Sequence, residues 1–160
     1  MYDENSKHDE TSIYGVSKSL GEVGNACIIR TSIIGEELSN KKSLLEWVRN
    51  HRNGTINGYL NHYWNGVTCL TLAKIIKRII DEGIYWKGVR HIYSPNIVSK
   101  YELCCYINQI YQLDINIIPT NLPEKCDKTL ISIYPPLFVI EDLQIQIREQ
   151  MEQSKRMVHT

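Results

Sequence analysis

Apolar positions along the chain change period several times. In LTLAKIIKRIIDE, residues 70–82, Leu72, Ile75, Ile76, Ile79 and Ile80 fall on one face at helical spacing, and Lys74, Lys77, Arg78 and Asp81 are left for water. Gly83 supplies the stop. ACIIRT at 26–31 is instead a continuous apolar run, the pattern of a strand buried on both faces. The same reading predicts helices over 12–22, 43–49, 100–111 and 141–156 and strands over 55–60, 90–93 and 115–118. Leu143, Ile147 and Met151 in the last helix suit a lid packed on a small domain. NHYWNG at 61–66 reads as a loop, and residues 1–12 are polar and turn-like. Helices alternating with short apolar strands indicate an α/β fold.

Composition narrows the function classes. A chain of 160 residues with 42% hydrophobic residues supports one core, so a single domain is expected. Lys plus Arg and Asp plus Glu balance at 18 each, which gives no reason to expect nucleic acid or an anionic membrane as partner. No apolar stretch approaches bilayer length and the first residues are polar, so a soluble, cytoplasmic protein is expected. The five cysteines are odd in number and lack paired spacing, and reduced, mostly buried thiols are the expectation. His62 and His91 do not stand near Cys or acidic residues at ligand spacing, so packing or hydrogen bonding is expected of them and no metal site. The glycines are scattered: there is no G-x-G-x-x-G turn of the kind that lets backbone amides approach a pyrophosphate.

Tyr14-Gly15-Val16-Ser17-Lys18 carries the candidate chemistry. Four residues apart on a helix, Tyr14 and Lys18 share a face. An ammonium beside a phenol stabilises the phenolate. Such a phenol can protonate a carbonyl oxygen as hydride arrives at carbon, or deprotonate an alcohol in reverse. The spacing alone decides little, because Tyr-x-x-x-Lys arises by chance about 0.7 times in a chain of this composition. Thr11 and Ser12 stand at the helix start, where capping is the expected role.

The neighbourhood adds weight. Tyr2-Asp3-Glu4, YGVSKSLGE with its Gly21-Glu22 pair, and Arg30-Thr31-Ser32-Ile33-Ile34-Gly35 follow in order, then N-G-V-T at 65–68, H-x-Y-S at 91–94, S-K-Y-E-L at 99–103 and C-D-K-T-L at 126–130. These blocks resemble the extended short-chain dehydrogenases/reductases, in particular the nucleotide-sugar reductase branch that includes the dTDP-4-dehydrorhamnose reductases. Departures are Ile33, where that branch usually has an aromatic residue, Val67-Thr68 in place of a P-T pair, and Lys128 for the basic residue of a late D-R-x-L segment.

The resemblance implies the C-terminal portion of a Rossmann-like NAD(P)-binding fold plus a small substrate-binding subdomain, with the N-terminal βαβ units missing. Residues 1–35 would end the Rossmann-like part and 36–160 would form mainly the sugar-nucleotide part of one truncated domain. It implies NADP or NAD as cofactor and a nucleotide-linked 4-keto-deoxysugar as substrate. Tyr14 and Lys18 become the catalytic pair, Lys18 also reaching a ribose hydroxyl, with Arg30, Thr31, Ser32 and Ile33 beside the nicotinamide. Glu36, Asn61, Trp64, Asn65 and Lys128 become candidate substrate contacts. For Trp64, stacking on sugar or base and plugging a loop both stay open, as does solvation for Glu36 with Glu37 and for Lys128. The family's Ser or Thr on the strand before the Tyr helix would lie before Met1, so the chain alone is expected to be inactive. Its 26–31 strand edge is expected to seek a homo-oligomer or the missing half. A non-catalytic, reductase-like subunit, or an epimerase or dehydratase, are the competing functions.

Overall fold

The computed structural model describes residues 1–158. In chain order the elements are α1 (Ile13–Leu20), β1 (Cys27–Arg30), β2 (Ile33–Ile34), α2 (Leu44–Arg49), β3 (Thr55–Tyr59), β4 (His62–Trp64), β5 (Val67–Thr68), α3 (Cys69–Asp81), β6 (Gly88–His91), β7 (Val98–Ser99), α4 (Lys100–Tyr111), β8 (Asn116–Thr120), β9 (Cys126–Asp127) and α5 (Leu143–Val158). The α/β class and every expected helix are present.

Four of the five helices start on a hydroxyl cap. Ser12, Ser43, Thr68 and Ser99 accept hydrogen bonds from the amides of Gly15, Glu46, Thr71 and Glu102, and Ser99 with Glu102 completes a reciprocal capping box. Each cap contributes about 1 kcal/mol. At its other end α3 stops at Gly83, whose φ of +63° is a left-handed conformation that glycine adopts without strain.

The strands form small sheets with mostly parallel pairing: β1 with β6, β2 with β5 and β3 with β8, plus a mixed sheet β7-β4-β9. Two buried clusters hold them together. One gathers Leu45, Val48, Ile56, Val98, Leu103, Ile107 and Ile115 with Leu143 and Ile147 of α5. The other joins Val67, Ile75, Ile79, Ile92 and Phe138.

Several expectations need correction. β1 is not buried on both faces: Cys27 is exposed and Ile28, Ile29 and Arg30 are only partly covered. Its sole strand neighbour among the described residues is β6, so the other edge is open. The apolar face of α3 is wider than its buried stripe. Ile75 and Ile79, one turn apart, enter the core, whereas Ile76 and Ile80 face solvent. The 61–66 segment is not simply a loop, because His62–Trp64 is the central strand of the mixed sheet. Nor is α5 a lid. Leu143 and Ile147 are fully buried, and between them the buried Gln146 side chain accepts from the Thr68 amide and donates to Ser94 Oγ. All five cysteines are free as expected, but Cys27 and Cys69 are exposed and only Cys104 is fully buried. No helix among the described residues is long and apolar enough to cross a membrane.

Candidate active-site cleft

The Ser12 cap fixes where α1 begins and therefore which face carries the candidate pair. One turn apart, Tyr14 and Lys18 lie side by side, with the Lys18 ammonium 5.5 Å from the Tyr14 ring centroid. Both side chains are exposed, and α1 has no buried residue. What anchors the helix is its far end. Glu22, just past Gly21, accepts two charge-assisted hydrogen bonds from Arg30, at 2.6 Å from Nε and 2.5 Å from Nη2. His8 adds a contact to each partner, 3.3 Å to Glu22 and 2.9 Å to Arg30. The Arg30 hydrogen bonds hold the Glu22 carboxyl below its ordinary range. Arg30 thus ties α1 to the C-terminal end of β1 and orients the pair above it.

A cavity of 730 Å3 opens there, bordered by Tyr14, Lys18, Arg30, Thr31, Ser32, Ile33 and Lys128. Ligands of open parallel sheets sit at the carboxyl ends of strands, and this cavity lies at that end of β1. A second cavity, of 340 Å3, is lined by His62, Trp64, Lys100 and Lys128 among others. Ile33 and Lys128 border both, so the two cavities are neighbours. Between them the Trp64 indole N–H donates to Ser32 Oγ at 2.7 Å. Gly66 permits that approach, since a Cβ there would stand 2.1 Å from the Ser32 carbonyl oxygen and 2.2 Å from the Trp64 ring.

Three candidates lie elsewhere. Glu36 accepts from the Tyr111 hydroxyl at 2.9 Å and pairs with Arg49 at 3.4 Å. Asn61 is spent on the backbone of Leu122, donating at 2.6 Å and accepting at 3.1 Å. Asn65 is buried, and its amide exchanges two 2.8 Å hydrogen bonds with the Leu130 backbone. None of the three borders the cleft. Asparagines and glutamates at loop positions look alike in sequence whether they clamp a loop or face a ligand. Lys100 is the reverse case: it lines the smaller cavity but was masked by the helix-start pattern of S-K-Y-E-L.

The N-terminal residues close the floor. Tyr2 bridges to Leu130 in parallel, and Glu4 accepts from the His91 amide at 2.9 Å, Ser132 Oγ at 2.5 Å and the Ile133 amide at 2.9 Å. Partial burial alone would raise the Glu4 carboxyl, but these three bonds outweigh it and hold it at about 2. His91 contacts the Ile131 carbonyl through Nδ1 at 2.7 Å, and its buried Nε2 has no partner. The Nδ1 of His62, beside the smaller cavity, is likewise buried and unpartnered. Among the described residues no group of three His, Cys, Asp or Glu side chains could hold a metal ion.

The geometry has known counterparts. No protein-family model and no curated protein matches the sequence. Among solved structures, a dTDP-4-dehydrorhamnose reductase from Bacillus anthracis in complex with NADP superposes with a TM-score of 0.74 over 96% of this chain and 59% of its own, at 19% identity. The chain shares the fold of that solved reductase. A dTDP-4-dehydrorhamnose reductase from Clostridium acetobutylicum agrees with a TM-score of 0.71 at 17% identity, covering 96% of this chain and 60% of that one. So does MoeE5, solved with UDP-glucose and NAD, with a TM-score of 0.66 at 11% identity over 99% of this chain and 60% of its own. The chain therefore spans about three fifths of the length of these structures.

The residues present fit one end of a nicotinamide dinucleotide. Tyr14, Lys18 and the 30–33 segment converge on the larger cavity, which His91 also borders. For the pyrophosphate the 160 residues contain no Gly-rich turn.

Proposed function

We propose that this chain is the substrate-binding and proton-donating part of an NAD(P)-dependent reductase acting on a nucleotide-linked 4-keto-deoxysugar. The observation that supports the reading is the pair of neighbouring cavities, the larger bordered by Tyr14 and Lys18, the smaller by Lys100, with Lys128 on both. In this reading residues 1–35 complete the dinucleotide-binding part and residues 36–160 hold the sugar nucleotide.

A bound dinucleotide would supply the hydride. Lys18 would hold the dinucleotide through a ribose hydroxyl, and the Tyr14 hydroxyl would donate its proton to the substrate carbonyl oxygen as the carbon is reduced, giving an alcohol and a phenolate. Lys100 and Lys128 neutralise the diphosphate as point charges, and the Trp64 ring, held by Ser32, walls the diphosphate side from the reacting side. Ser32 and Arg30 act as positioning residues, because Trp64 and Glu22 already occupy them.

Two features support a need for a further α/β segment: the open edge of β1 and the absence of any buried residue in α1. We place the Gly-rich turn and the second catalytic hydroxyl on that segment, so the 160 residues alone do not turn over. The test joins this chain to the dinucleotide-binding segment of its own reading frame and follows NADPH consumption with a dTDP-4-keto-6-deoxysugar. Tyr14→Phe should lower kcat by about 100-fold or more, with the reduced sugar as product of the parent enzyme. Full activity in Tyr14→Phe would sink the assignment. Product analysis showing epimerised or dehydrated sugar, with no net cofactor consumption, would replace reduction by one of those reactions.

A further inference from the structure

A third cavity, of 560 Å3, lies between the 90–95 segment and the 132–140 loop. It shares only His91 with the candidate cleft. Its wall is mostly apolar, with Ile92, Leu137, Phe138 and Ile140 prominent, and Pro95, Pro135 and Pro136 fix the backbone around it. The size and lining are those of a small-molecule site, a largely apolar pocket of a few hundred Å3 with a small number of polar groups.

The polar group that stands out is Arg90. Arg30, Arg49 and Arg78 each reach a carboxylate. Arg90 instead packs against two rings, its guanidinium 5.5 Å from the Trp86 centroid and 4.8 Å from that of Tyr134. Among the described residues it forms no ion pair. Two ring contacts limit the motion of a guanidinium, and a planar fork so held is prepared for a carboxylate in bidentate geometry. The other polar side chain at that end of the wall, Ser132, already donates to Glu4, so it does not compete for a ligand. Arg78 stacks on Phe138 at 4.1 Å but is neutralised by Glu82. An apolar pocket with one uncompensated, oriented cation selects a ligand with one anion on an apolar body.

We propose that this cavity binds a small amphipathic carboxylate, with its apolar body against Ile92, Leu137 and Phe138 and its carboxylate on the Arg90 guanidinium. The site does not depend on the reductase reading, since none of the proposed catalytic residues borders it.

Isothermal titration of the 160-residue chain with sodium octanoate, and with 1-octanol as a neutral counterpart, tests it. Octanoate should bind saturably at one site. Arg90→Gln should weaken that binding about tenfold or more, as expected when a charged hydrogen-bonded pair is lost. Arg90→Lys, which keeps the charge but loses the planar fork, should fall between the two. Octanol should bind the parent protein no better than octanoate binds Arg90→Gln. Absence of saturable octanoate binding at millimolar concentration overturns the proposal, and so does equal affinity for octanoate and octanol in the parent protein, a comparison that needs no variant to fold. An Arg90→Gln protein with native near-UV circular dichroism and unchanged octanoate affinity overturns it as well.

Discussion

Glu4 is where a single substitution reports on how the cleft floor is held. Its carboxylate joins the polar N-terminal segment to β6 and to the 132–133 loop through three hydrogen bonds. Folding lowers this carboxyl from 4.5 to about 2, a difference with a ceiling of about 3 kcal/mol by linkage. Solvent reaches part of the group and screens the interaction, so about 1–2 kcal/mol is the expected share. Because the folded value is the lower one, the contribution is complete above the unfolded value of 4.5 and is lost as pH falls toward 2. Glu4→Gln should therefore unfold in less urea at pH 7, by about 1–2 kcal/mol, when followed by tryptophan fluorescence. The gap between parent and variant should close as pH is lowered through that window. A variant as stable as the parent at pH 7, or a gap that stays constant down to the acid limit, would refute the reasoning.

Other substitutions probe separate parts of the account. Asn65→Ala removes two hydrogen bonds from a buried site and strands the Leu130 amide and carbonyl; a loss of about 2–3 kcal/mol is expected in the same urea assay. Gly66→Ala drives a Cβ against Ser32 and Trp64, and should cost about 1–3 kcal/mol while changing Trp64 fluorescence. Exposed Cys27 should react with a thiol reagent in the native state at pH 8, whereas Cys104, which burial pushes up to about 11, should react only on unfolding. The open β1 edge should make the chain self-associate in light scattering, and a stable monomer at high concentration would count against that edge as an adhesive surface.

Much of the fold was legible because helix caps and periods are local signals. Ser12, Ser43 and Ser99 mark their helices in sequence, and the helix over 100–111 emerges with the expected bounds. Burial was less legible, since it depends on which neighbours are present. Ile76 and Ile80 share the apolar face of α3, but the cluster around Phe138 receives only Ile75 and Ile79. The strands β2, β5, β7 and β9, of two residues each, carry too little pattern to be seen. Of the candidate site residues, Tyr14, Lys18, residues 30–33 and Lys128 border the larger cavity, and Trp64 the smaller one. Glu36, Asn61 and Asn65 do not, and the reason is long-range. Their partners Tyr111, Leu122 and Leu130 lie more than sixty residues away in sequence, beyond any local motif.

The central claim is that this chain holds a nucleotide diphosphate at Lys100 and Lys128, next to the cavity that Tyr14 borders. Titration of the 160-residue chain with dTDP, read by tryptophan fluorescence and calorimetry, tests it directly and without any need for turnover. Saturable binding that quenches Trp64 and is weakened about tenfold or more in Lys128→Ala is the predicted result. Absence of binding, or binding indifferent to both Lys128→Ala and Lys100→Ala, would contradict it.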